Sequence, residues 1–111
     1  MNSFRLGIIA EYVVLLLYKI HFYTILHHRM KTYVGEIDLI AARNKQLVFI
    51  EVKARKSGIC EDLVSHTQQT RIRRAAELFL SKHLEYSNYN IRFDLVIVKP
   101  YRWPTIIKNA W

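Results

Sequence analysis

Two carboxylates and an ammonium stand at spacings that suit phosphodiester chemistry. Asp38 lies in Gly35-Glu36-Ile37-Asp38-Leu39-Ile40, and Glu51 and Lys53 lie in Leu47-Val48-Phe49-Ile50-Glu51-Val52-Lys53. Both stretches alternate apolar and polar residues, or nearly so, which is the two-residue period of a strand. Asn44-Lys45 between them suits a two-residue hairpin turn, because Asn tolerates the left-handed backbone such a turn needs. That turn pairs Arg43 with Gln46 and, counting back, sets Asp38 opposite Glu51. Carboxylates so placed, with Cβ atoms about 5 Å apart, repel unless something positive sits between them. An oxygen-preferring divalent ion, Mg²⁺ or Mn²⁺, answers that need, with Asp38, Glu51 and the Val52 carbonyl as ligands. Lys53 shares the face of Glu51, where its ammonium would orient a water or neutralise developing charge. Glu-x-Lys alone is a common decoration of solvated strands. Asp38 at the matching register, in a basic chain, gives the set its weight. A bulged turn would shift the pairing by one residue and weaken the opposition.

The strands that carry these groups must also build a core. On the first, Ile37, Leu39 and Ala41 are expected on one face, and Glu36, Asp38 and Ile40 on the other. On the second, Val48, Ile50, Val52 and Ala54 share one face, and Phe49, Glu51, Lys53 and Arg55 the opposite one. Upstream, a helix is expected from about Gly7 to Lys19. It is apolar nearly all round, so it should be covered on several sides. His21 to Lys31 reads as a strand. Its neighbours His27 and His28 point to opposite faces and would not ligate one ion without a bulge. We read them as solvated.

Lys56 to Val64 reads as a loop bordering the site, with Glu61 and Asp62 solvated. Ser65-His66-Thr67-Gln68 has the form of a capping box and opens a helix to about Leu84. Ile72, Ala75, Ala76, Phe79 and Leu80 recur at helical spacing and should pack on the sheet. Arg71, Arg73 and Arg74 cluster in the first half of that helix. With Arg55 and Lys56 they are the candidate contacts to a phosphate backbone, or else a solvated charged face. Gln68 or Gln69 is placed to reach the site from the helix start. Ile91 to Val98 is the next strand, with Asp94 paired to Arg92 or a neighbouring strand. Thr105-Ile106-Ile107 is a short terminal strand. The order is αβββαββ: antiparallel strands, a crossover helix and a further strand, giving an α/β fold with a mixed central sheet flanked by helices.

Length and composition set the outer bounds. The 111 residues make one domain, residues 1–111. Seventeen Lys and Arg against nine Asp and Glu give a formal charge of +8, which attracts polyanions, nucleic acid first. The single cysteine, Cys60, excludes an internal disulfide framework and suits a reducing compartment, which we take as the cytoplasm. The longest apolar run, Tyr12 to Tyr18, is seven residues. A membrane span needs about 20, so no membrane association is expected.

The stretches from Gly35 to Ile40 and from Val48 to Arg55, with Arg92-Phe93-Asp94, resemble the YraN-like family of small bacterial proteins. The resemblance covers nearly the whole chain. It implies a restriction-endonuclease-like fold in the PD-(D/E)xK nuclease superfamily, similar to archaeal Holliday junction resolvases. It puts Asp38, Glu51 and Lys53 on the core motif and matches Glu11 to the family's N-terminal acid. The other reading of Glu11 is a first-turn carboxylate that satisfies the helix dipole. Two positions depart from the family pattern: Ile37 stands where proline is usual, and Gln68 where lysine is common. The resemblance suggests branched DNA as substrate, and a homodimer if two strands are cut. The expected function is therefore a Mg²⁺- or Mn²⁺-dependent endonuclease. The alternatives are a non-catalytic nucleic-acid-binding module on the same fold and, more weakly, a basic protein-binding scaffold.

Overall fold

A computed structural model describes residues 3–56 and 64–111. Cys60, Glu61 and Asp62, and with them most of the expected loop, lie outside the described residues. The elements run α1 (Ser3–Ile20), β1 (Thr24–Lys31), β2 (Glu36–Arg43), β3 (Gln46–Ala54), α2 (His66–Lys82), β4 (Asn90–Val98) and β5 (Thr105–Ile107). A 3₁₀ turn at Leu84–Tyr86 joins α2 to β4. This is the expected αβββαββ order of a restriction-endonuclease-like α/β fold.

The five strands form one sheet in the order β1-β2-β3-β4-β5. Three of the pairings are antiparallel, and β3 pairs with β4 in parallel. Parallel neighbours cannot be joined by a tight turn, and α2 supplies the crossover between them.

The β2–β3 hairpin closes on Asn44 and Lys45 with φ of 51° and 64°. Two positive φ values in a two-residue loop match the right-handed twist of the strands. Arg43 accordingly pairs with Gln46, and the register runs back through Ala41 and Val48 to Leu39 and Ile50.

Strand alternation puts a core on each side of the sheet. On one side Leu39, Ala41, Val48, Ile50 and Val96 pack with Ala10, Val14 and Tyr18 of α1. On the other, Ile40, Leu47 and Phe49 pack with Ile72, Ala75, Ala76 and Phe79 of α2. Each such aliphatic or aromatic side chain contributes about 1.5–3 kcal/mol on full burial.

Two expectations need correction. Ile37 packs with the α2-side cluster, not with Leu39 and Ala41. Strict alternation therefore fails between Ile37 and Leu39, where the β2–β3 ladder ends. The first helix starts at Ser3, four residues before the expected Gly7, and only its Ala10, Val14 and Tyr18 stripe is deeply buried. Ile9, Tyr12, Val13, Leu16 and Ile20 on α1 are exposed, so this helix is covered on one side only. No helix among the described residues is long and apolar enough to cross a membrane.

Asp94 has the structural role expected of it. It is fully buried and takes both Arg92 Nε (2.8 Å) and Arg92 Nη2 (2.9 Å). The Tyr18 hydroxyl donates to its Oδ2 at 2.8 Å, and the Asn109 N–H donates to Oδ1 at 3.1 Å. Burial, then the charge of Asp94, pushes the Tyr18 hydroxyl far above its ordinary pKa. Burial works against the charge of Arg92, but its bonds to Asp94 and Tyr23 prevail and raise its pKa. This network ties α1 to β4 and to the chain's end.

Candidate active site

The site forms where β2 and β3 part. Arg43–Gln46, Ala41–Val48 and Leu39–Ile50 are alternate pairs of the ladder, so the next exchange would join Ile37 to Val52. The ladder stops short of it. The Val52 N–H donates instead to Asp38 Oδ2, at 2.8 Å. Asp38 thus ends the strand pairing with its own side chain, and the strands open into a cavity of about 410 Å³. Its walls carry Glu11, Asp38, Glu51, Lys53, Gln68 and Arg71.

Glu51 is buried at 7% exposure and sits beside Asp38. Burial raises its pKa first, and a hydrogen bond to Asp38 and that group's charge raise it further, to about 9. Lys53, with Nζ 3.7 Å from Glu51 Oε2, pulls the other way and is outweighed. Two acids crowded together with one of them buried favour keeping a proton, and a bound cation would relieve the same strain.

Gln68 bridges the two motif residues. Its Nε2 donates to Glu51 Oε2, while its Oε1 accepts from Lys53 Nζ at 3.2 Å. Ser65 caps α2 as expected, taking the Gln68 N–H on its Oγ at 3.1 Å. The Gln68 side chain does not close the capping box, because it is turned into the cavity.

The helix stays close because of Gly35. A Cβ on that residue would lie 2.7 Å from the Arg71 carbonyl oxygen, inside any tolerable contact. The turn carrying Gly35 is fixed by Thr32, whose Oγ1 accepts from the Gly35 N–H at 3.0 Å and donates to the Gly35 carbonyl at 2.6 Å.

Glu11 reaches the same cavity from α1. It stands well inside the helix, whose first turn has no acid, so the helix-dipole reading is excluded. Arg29 Nε donates to its Oε1 at 2.9 Å, and His28, in its Nε2–H tautomer, donates to the same oxygen at 3.1 Å. Its hydrogen bond to Glu11 raises the pKa of Arg29. Arg29 holds a left-handed φ of 59°, and a register shift between Ile25 and His27 precedes it. His27 and His28 face opposite sides as expected, His27 toward Phe79 and His28 toward Tyr12. The solvated reading holds for exposed His27. His28 is half-buried on Glu11, a role that no local pattern announced.

The basic candidates divide. Arg71 lines the cavity, and Arg74 is exposed on α2. The Arg73 guanidinium lies over the Phe93 ring, 5.7 Å from its centre. Arg55 donates to the Ala54 carbonyl at 2.9 Å, and Lys56 lines a separate groove. Among the described residues no three His, Cys, Asp or Glu side chains gather as a ready metal cage. The oxygen donors at this cavity include the Asp38 and Glu51 carboxylates, and Val52, whose carbonyl would add a third, lines it. All are hard oxygens, the class that Mg²⁺ and Mn²⁺ take, and such ions keep several waters. The set fits an ion of that kind.

Comparison with known proteins shows the family. The model of "Uncharacterised protein family UPF0102" matches residues 10–98. A UPF0102 protein of Chelativorans sp. (strain BNC1) is 42% identical over 111 residues, covering 99% of this chain and 90% of that protein. One from Mesorhizobium japonicum is 39% identical, covering 99% and 89%, and one from Ehrlichia ruminantium is 41% identical, covering 96% and 83%. With a family match across most of its length and relatives aligned almost end to end, the chain belongs to the uncharacterised protein family UPF0102, the YraN family.

Proposed function

We propose that this protein is a divalent-metal-dependent endonuclease that hydrolyses phosphodiester bonds in nucleic acid, in the cytoplasm. The observation that carries the proposal is Glu51: a buried carboxyl beside Asp38, with Lys53 Nζ 3.7 Å away, at a cavity open to solvent. Asp38, Glu51 and the Val52 carbonyl would hold Mg²⁺ or Mn²⁺. The chemistry supplied by such an ion is polarisation of the scissile phosphate and a lowered pKa for the attacking water.

The chain's own groups do the rest. Lys53, steadied by Gln68, places an ammonium where negative charge develops on the phosphate. Glu11, oriented by His28 and Arg29, presents a carboxylate at the cavity wall that can hold a water. Arg71 stands at the same wall for a backbone phosphate. No base-reading element is evident in the sequence, so recognition rests on charge and shape. The family resemblance suggests branched DNA as the substrate, and a homodimer if two strands are cut.

A second reading, a nucleic-acid-binding module without catalysis, draws support from the engagement of Glu51 by Gln68 and Lys53. A panel of duplex, flap, junction and single-stranded DNA and RNA with Mg²⁺ or Mn²⁺ separates the two. The nuclease cleaves at least one substrate and loses cleavage, but not binding, in Glu51→Ala. Binding without any metal-dependent cleavage selects the module. Cleavage that survives Glu51→Ala contradicts the nuclease.

A further inference from the structure

A second concavity, of about 810 Å³, lies between the first half of α1 and the β4–β5 connection. One wall is apolar, with Leu6, Ile9 and Val13. The other is formed by Lys99, Pro100, Tyr101, Arg102 and Pro104. Tyr101 on that wall and Trp103, which flanks the groove without lining it, are almost wholly exposed, at 106% and 87%. Tyr101 also carries a φ of 62°, a left-handed conformation that bulky side chains seldom adopt. Neither burial nor backbone preference accounts for an aromatic ring at this position. Lys56, Lys99 and Arg102 line the concavity, and among the described residues no acid does.

Its place in the sheet connects it to the candidate active site. Lys53 is level with Ile97, Ala54 with Val98, and the Arg55 N–H donates to the Val98 carbonyl at 2.9 Å. Tyr101 follows Ile97 by four residues, a span of at most about 13 Å at the strand rise of about 3.3 Å per residue. On α1, Ala10 lines this concavity and the adjacent Glu11 lines the site cavity. With the inter-strand spacing of about 4.8 Å added, the Tyr101 backbone lies within about 18 Å of that of Lys53.

We propose that this groove binds an unpaired nucleic-acid strand, with Tyr101 and Trp103 stacking on bases and Lys56 and Arg102 holding phosphates. Exposed rings beside cations suit single strands, because every unpaired base presents a π-face and every phosphate a charge. A duplex hides its base faces in its own stack, so the groove selects substrates with a single-stranded arm. The proposal rests on the nuclease reading for its substrate but not for its test.

Trp111→Phe leaves Trp103 as the lone tryptophan of the two in the chain. Oligothymidylate, added to that protein in EDTA, quenches its fluorescence saturably, and a duplex of equal length does not. By anisotropy on the native background, Tyr101→Asn with Trp103→Ala weakens oligothymidylate binding about tenfold or more and leaves duplex binding unchanged. Asn suits the left-handed φ, and both side chains are exposed, so the fold is kept. Binding without quenching, or equal loss on both substrates, overturns the proposal. Quenching by anionic phospholipid vesicles or by self-association, with none by oligothymidylate, overturns it too and gives the groove to a lipid surface or a second copy. If the nuclease reading alone is wrong, no variant cleaves, yet the quench and the tenfold loss persist.

Discussion

The Asp38 carboxylate accepts the Val52 N–H at 2.8 Å, at the place where strand register would have supplied the carbonyl of Ile37. One side chain thereby ends a ladder, opens the sheet and stands beside Glu51. The Val52 N–H remains satisfied while its strand keeps pairing with β4 through Ala54. The site is thus a by-product of how the sheet stops.

Glu51 makes the metal-free fold sensitive to alkali. Its folded-state pKa of about 9 lies above the ordinary 4.5, so the folded state binds the extra proton between those values. Stability is full below about pH 4.5 and falls as pH rises toward 9. Glu51→Gln, neutral throughout, should match the native protein near pH 4 and exceed it in melting temperature at pH 8. Thermal melts in EDTA across that range check the sign.

Gln68 bridges Glu51 and Lys53 and holds both in place. Gln68→Lys puts a second ammonium beside Glu51, which favours the charged carboxylate. The pH at which Glu51 ionises should fall, moving the acidic limb of the cleavage profile downward. Gln68→Ala should lower kcat roughly tenfold through lost positioning, with melting temperature nearly unchanged. A large loss of stability with intact kcat would show that the residue only braces the fold.

Gly35→Ala forces a methyl group to within 2.7 Å of the Arg71 carbonyl. Overpacking of this kind costs about 1–3 kcal/mol. The added cost should appear in urea unfolding, and it should be accompanied by weaker catalysis, because α2 carries Gln68. Gly35→Ala proteins of native stability would contradict the close approach of turn and helix.

Asp94→Asn leaves the half-buried Arg92 without its counter-charge. Breaking a fully buried pair costs about 3–5 kcal/mol; with Arg92 partly solvated the loss should fall below that range, and it should be seen by urea unfolding. Affinity for Mn²⁺ should not change in whatever fraction stays folded, since Asp94 belongs to the α1–β4 network and not to the cavity.

Much of this was legible in the chain because it is local. Asn44-Lys45 set the hairpin register, and alternation along β3 placed Phe49 and Glu51 on the α2 side. What escaped depends on distant partners. Ile37 changed faces because β2 leaves β3 at Asp38, next to an irregular β1 at Arg29. Gln68 fitted a capping box by spacing, but Glu51 and Lys53 compete for its amide from 17 and 15 residues away in sequence. His28 and Arg29 gave no sign that they would orient Glu11. The exposed face of α1 was equally hidden, since an all-apolar helix does not announce which side its own chain will cover.

Titration calorimetry of Mn²⁺ at pH 7.5, in buffers of different ionisation enthalpy, tests the central claim that Asp38 and Glu51 share one ion. Because Glu51 keeps its proton up to about pH 9, one ion should bind with release of about one proton. Asp38→Asn and Glu51→Gln should each abolish that binding without unfolding the protein. Mn²⁺ binding that persists in both variants, or that releases no proton in the native protein, would contradict the account.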